Sequence, residues 1–147
     1  SEFHAALGLA HLALWPQQVQ ARRRVLERYR KVLGPLITMQ EDTGLYAPSV
    51  LPVRLASSAL RDRLEEACSA SGVQTRRWYQ PLIHRHAALG PVEVVGPLTA
   101  ANDLAETLLG LPFFSDLSDP EMDRVVALVL ALQPEMNLRF SEVETKP

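Results

Sequence analysis

The sequence predicts an α+β domain in which a small antiparallel or mixed sheet of about three strands is covered by helices. Three observations predict it. Apolar residues recur at helical spacing near both ends of the chain. The middle of the chain switches to short β-rich runs broken by Gly and Pro. A helical stripe separates two of those runs, giving a β-α-β order. At 147 residues, 47% hydrophobic and 22% charged, the chain is long enough to bury roughly two thirds of its unfolded surface around one core.

Ser1 is placed to cap a first helix, in which Phe3, Ala6, Leu7, Ala10 and Leu14 share a helical spacing. Gly8 and the alanines predict close packing against a neighbour. Trp15-Pro16 predicts a kink or a fresh start, because proline lacks a donor and biases the residue before it away from helix. From 17 to 33, Val19, Leu26, Tyr29 and Leu33 fall near one face, and Gly34-Pro35 is the stop signal. Between 37 and 55, Ile37, Met39, Val50, Leu51, Val53 and Leu55 sit among Gly44, Pro48 and Pro52. They predict two short strands and a loop, and the prolines predict an edge position.

Ser58 is read as the cap of a helix buried through Leu60, Leu64, Ala67 and Cys68 and ended by Gly72. A strand over 73–79 is expected next, then an irregular loop over 81–97 and an amphipathic helix over 99–109. Ser118 and Glu121 have capping-box spacing ahead of an apolar run whose buried face is Val125, Val126, Val129 and Leu132. Residues 1–134 are expected to form the domain and 135–147 a loosely held tail.

A net charge of −2 and a pI near 6.1 create no field for nucleic acid or an anionic membrane. The lone cysteine, Cys68, has no partner for an internal disulfide, and no secretory leader or membrane-length apolar run is visible. A soluble, cytoplasmic protein is expected. Ser1 in place of an initiating methionine is expected of a piece of a longer protein.

Four constellations bear on chemistry. Arg22-Arg23-Arg24 does not form one stripe, since successive helical residues lie about 100° apart. Arg24, Arg28 and Lys31 share a face that Glu27 partly neutralises, which reads as a solvated helix surface. His4 and His11 are seven apart and lack acidic or thiol companions, and His84 and His86 flank Arg85, so no metal site is assigned. Cys68 lies on an apolar stripe and no G-x-S-x-G elbow is present, so no catalytic nucleophile is assigned. The run VQTRRWYQPLIHRH, 73–86, gathers cationic, stacking and proton-transfer groups at one sheet edge. Strand alternation would put Gln74, Arg76 and Trp78 on one face and Thr75, Arg77 and Tyr79 on the other.

The order of these segments resembles the carboxy-terminal part of the DegT/DnrJ/EryC1/StrS sugar aminotransferases. Ser1-Glu2 with Ala5-Ala6-Leu7-Gly8-Leu9 is similar to the helix that follows that family's catalytic domain. Arg61-Asp62 with Leu64 resembles an Arg-Asp-x-Leu helix start, and Gly72-Val73-Gln74-Thr75 a Gly-Ile-x-Thr stretch. Thr75, Arg76, Tyr79, Pro81 and His84 match the outline that comes next, whereas Trp78 replaces the usual Tyr or His and Ile83 the Leu. Residues from Leu104 through the capped last helix are similar to the family's terminal pattern. The likeness covers about residues 1 to 133.

The resemblance implies the small domain of a homodimeric, fold-type I pyridoxal-phosphate enzyme. Such an enzyme moves an amino group from glutamate or glutamine to a nucleotide-linked keto sugar. It also implies that the cofactor's Schiff-base lysine lies in a separate amino-terminal domain, because Lys31 sits among helical arginines and Lys146 next to the last residue. By this reading the chain closes over the sugar nucleotide and completes the dimer. Arg76 or Arg77 holds a carboxylate or phosphate, Tyr79 packs on or hydrogen-bonds the sugar, and His84 fixes the loop or meets the substrate. The alternative is a stand-alone, non-catalytic binding or regulatory module derived from the family.

Overall fold

The computed structural model describes residues 1–41, 48–78 and 80–134. Helix α1 spans Glu2–Leu33, followed by strands β1 (Thr38–Met39) and β2 (Leu51–Arg54) and helix α2 (Ser58–Ala70). Two 3₁₀ turns, Ile83–Arg85 and Ala87–Leu89, precede α3 (Thr99–Thr107), β3 (Leu108–Leu111) and α4 (Asp119–Ala131). The expected tail and the loop around Gly44 lie outside the described residues.

The α+β class is as the sequence predicts: a three-stranded antiparallel sheet in the order β1-β2-β3, packed with helices. Alternation divides β2 and β3 into two faces. Leu51, Val53, Leu109 and Leu111 are buried in a core with Tyr29 and Leu33 of α1, Leu64 of α2 and Val129 of α4. Complete burial of a Leu or Val side chain contributes about 1.5–3 kcal/mol each, so this layer dominates the stability of the domain.

Several expectations need correction. Trp15-Pro16 does not interrupt α1, which runs through Pro16 as one helix of 32 residues. The helix is exposed at Pro16, so water can reach the carbonyl that proline leaves without a donor. The close packing expected for the first half is also absent within this chain: Phe3, Leu7, Leu12 and Trp15 are all exposed, and only Val25, Leu26, Tyr29 and Leu33 of α1 are buried.

Second, β2 is the central strand, not an edge. Leu55 donates to the β3-side carbonyl of Thr107, so alternation turns the Pro52 nitrogen toward β1. Pairing with β1 stops at Val53, and the donor missing from Pro52 falls just past that end. Third, the strand expected over 73–79 contracts to one bridge, Arg76 opposite Gly110. The third strand is Leu108–Leu111, whose first two residues were expected to end the helix over 99–109. Fourth, Arg28 is not merely solvated: it pairs with Asp119 and, at 2.6 Å, with Asp123, tying α1 to the start of α4.

The remaining helix signals hold, except that the cap of α2 shifts by one residue and Ser1 precedes α1 without a side-chain cap bond. Ser57, one residue before the expected cap, accepts from the Leu60 N–H. Gly72, at φ +70, closes α2 while Val73 N–H bonds Cys68 C=O at 2.8 Å and Gly72 N–H bonds Ser69 C=O at 3.0 Å. That pair of bonds is a Schellman motif. Cys68 is fully buried, and burial pushes its thiol pKa up to about 11, as suits an inert core residue. The Ser118–Glu121 capping box forms at the start of α4.

Candidate functional site

The segment leaving α2 runs antiparallel beside β3 for a single residue pair. Arg76 N–H donates to Gly110 C=O at 3.0 Å, and Gly110 N–H returns a bond to Arg76 C=O at 2.7 Å. The Trp78 indole lies directly over Gly110, where any Cβ would run into the ring and the Arg76 carbonyl. Glycine is therefore what lets the indole lie against the sheet. The Arg76 guanidinium in turn stacks over Trp78, with its central carbon 4.4 Å from the ring centroid. Gln74, Arg76 and Trp78 line one cleft of about 290 Å³ together with Ser49, Val50 and Phe113, but Thr75, expected on the opposite face, lines it too, because the segment pairs at one residue only and is not a regular strand. A cation stacked on an aromatic face beside polar amide and hydroxyl groups can take an anionic or planar group.

Arg77 turns the other way, onto α2. Its Nε donates to Glu65 at 2.8 Å and its Nη2 to Asp62 at 2.8 Å, with a second contact from Nη2 to Glu65. The hydrogen bond to Glu65 is the main reason its pKa is raised, so the charge is held firmly. Asp62 also accepts from Nε of Arg61 at 2.7 Å, and Arg61, although a cation, is only 4% exposed. Nη1 of Arg61 donates to Ala105 C=O at 3.2 Å, so the buried charge has an acid and a carbonyl, as burial requires.

Of the four residues singled out from the sequence, Arg76 and Arg77 therefore belong to different surroundings. His84 is half-buried in the turn Ile83–Arg85, next to Arg85, whose guanidinium donates to Asn102 at 2.7 Å. Tyr79 lies outside the described residues. Sequence reading missed Asp62, Glu65, Gln80 and Gly110. The acids carried a usable signal, being three apart and so neighbours on one helix face. Gly110 carried none, standing just past the end of the helix expected over 99–109.

No described residue suits covalent attachment of an aldehyde cofactor. Such a lysine has to be desolvated or paired to become nucleophilic, whereas Lys31 is exposed in the last turn of α1. Lys146 lies outside the described residues.

Fold and geometry together define a small α+β layer in which the segment carrying Arg76 and Trp78 meets the edge strand of the sheet. Its class follows from comparison: the chain belongs to the DegT/DnrJ/EryC1/StrS aminotransferase family, whose model matches residues 1–130. This is a family of pyridoxal-phosphate-dependent sugar aminotransferases. Protein Rv3402c of Mycobacterium tuberculosis is 25% identical over 133 residues, which make up 88% of this chain and 32% of that protein. The aminotransferase TlmJ from Streptoalloteichus hindustanus is similar in structure, with a TM-score of 0.77 and 28% identity over 90% of this chain and 36% of that one. The Streptococcus pneumoniae protein Spr1654 in its PLP form shares the fold, with a TM-score of 0.77 and 22% identity over 92% of this chain and 36% of that one. The chain thus spans about a third of the length of the relatives it matches.

Proposed function

We propose that this chain is the carboxy-terminal small domain of a pyridoxal-phosphate-dependent nucleotide-sugar aminotransferase. It closes the sugar-nucleotide site and contributes to a homodimer, and a separate amino-terminal domain supplies the cofactor lysine. The observation that carries the reading is the family match over residues 1–130 by a chain about one third as long as its relatives. The exposed apolar half of α1 supports it as a surface for that absent domain. Substrate-facing roles fall to Arg76, which stacks on Trp78 and lines the cleft with it, and to Tyr79 and His84 further along the same segment. Arg76 would meet a carboxylate or phosphate of the nucleotide-linked keto sugar or of the donor, glutamate or glutamine. The chemistry the cofactor supplies is amino-group transfer. This chain's own part is to orient the substrate and exclude water.

The test uses the complete protein. Arg76→Ala removes a charge-assisted hydrogen bond worth about 1.5–3 kcal/mol, and kcat/KM should fall roughly ten- to hundredfold. Tyr79→Phe and His84→Ala should raise KM or lower turnover. Wild-type kinetics in all three variants would remove the reading. Residues 1–147 treated with pyridoxal phosphate and borohydride should carry no pyridoxyl group on Lys31 or Lys146, and a modified lysine with turnover would also overturn it.

A further inference from the structure

We propose that Arg77 is a positioning residue: clamped by Glu65 and Asp62 of α2, it sets where segment 76–84 lies and does not itself meet the substrate. The proposal rests on the reading that this segment closes a substrate site. Among the described residues of the segment, backbone pairing with the sheet occurs only at Arg76. Beyond that point the described anchors are side chains. Arg77 reaches α2, the Gln80 amide donates to Ala105 C=O, and Arg85 reaches Asn102 on α3. The carbonyl of Ala105 also takes Nη1 of Arg61, and one oxygen of Asp62 receives both Arg61 and Arg77. The result is a closed circuit from α2 to the segment, on to the end of α3, and back.

Charge pairing supports the assignment. Within the clamp, Arg61 and Arg77 face Asp62 and Glu65, so the Arg77 charge already has acidic partners. Nε and Nη2 of Arg77 are committed to the acids, and Nη1 lies 3.5 Å from the Gln80 side-chain oxygen. A substrate carboxylate would have to displace one of the same charge already bound. Arg76, one residue earlier, carries none of these contacts and stands on the opposite face.

A double-mutant cycle in the complete protein separates positioning from contact. Glu65→Gln, Arg77→Gln and the pair are compared, with L-glutamate as the donor probe and amide exchange over 77–85 as a second readout. Glu65→Gln should raise exchange over 77–85 while α4 keeps its protection. It should also reproduce most of the fall in kcat caused by Arg77→Gln, on the order of ten- to hundredfold, and the pair should fall no further. Wild-type kinetics in Glu65→Gln beside a damaged Arg77→Gln would make Arg77 a direct contact and overturn the proposal. Raised exchange with wild-type kcat and KM in both single variants would reduce the clamp to a structural role, and also overturn it. If Arg76→Ala, Tyr79→Phe and His84→Ala are themselves inert, it is the closing role that fails.

Discussion

Gly110 shows how much one missing Cβ can decide. The glycine is buried in β3 under the Trp78 indole, and the same indole is the platform for Arg76. Gly110→Ala therefore forces either the ring or the Arg76 carbonyl to move. A loss of about 1–3 kcal/mol is expected from overpacking, together with a change in tryptophan emission as Trp78 leaves the sheet. An unchanged spectrum and an unchanged urea midpoint would show that the ring does not lie on Gly110. Tyr29 is a second case. Its ring is fully buried, its hydroxyl donates to Pro112 C=O at 3.1 Å, and burial holds its pKa well above the usual tyrosine range. It stays a neutral donor pinning the chain just after β3 to α1.

At the level of the element, α4 has the most complete local instructions. Ser118 accepts from the Glu121 N–H, while Glu121 accepts from the Ser118 N–H at 2.9 Å and from its hydroxyl at 2.6 Å. Ser118→Ala should cost about 1 kcal/mol at neutral pH by chemical denaturation. The side-chain bond from Ser118 is the main cause that lowers the Glu121 pKa from its ordinary 4.5. A carboxylate whose folded pKa lies below its unfolded value stabilises the fold above the unfolded pKa, and that contribution is lost as pH falls through the folded one. The cost of Ser118→Ala should thus shrink between pH 7 and about pH 3. A cost that stays constant over that range would mean the carboxylate plays no part in the cap.

Helix α1 shows the opposite relation between signal and outcome. Proline is a strong local breaker, yet Pro16 sits inside a helix that continues for four further turns. Short-range signals such as caps and glycine stops were legible because their hydrogen bonds close within a few residues, as at Ser118 and Gly72. The strand at 108–111 was not legible. Leu108-Leu109-Gly110-Leu111 has no periodicity that separates strand from helix, and its state is set by pairing with residues 51–54.

For the whole molecule, the uneven burial of α1 is the dominant feature. Phe3 is 73% exposed, Leu9 68% and Leu12 66%, while Tyr29 and Leu33 at the other end are at 0%. Apolar surface in contiguous array favours association. Residues 1–147 prepared alone should show an apparent mass that rises with concentration in sedimentation, and Leu7→Glu with Leu14→Glu should abolish the rise without lowering the urea midpoint. A strictly monomeric wild-type chain would show that this face tolerates water. In the proposed complete enzyme the same substitutions should weaken assembly, because the face is then an internal contact.

The amino-acid sequence by itself determined the α+β class, the glycine stop of α2, the capping box of α4, the core role of Cys68 and the family, because each rests on residue types at short spacings. It also brought Gln74, Arg76 and Trp78 together, although Thr75, expected on the other face, lines the same cleft. Only the tertiary structure decided that β2 is central, that 108–111 is a strand, and that Arg77 turns away from Arg76 onto Glu65 and Asp62. Those outcomes depend on contacts between residues far apart in the chain, and the free energy that selects them exists only once both sides have been brought together.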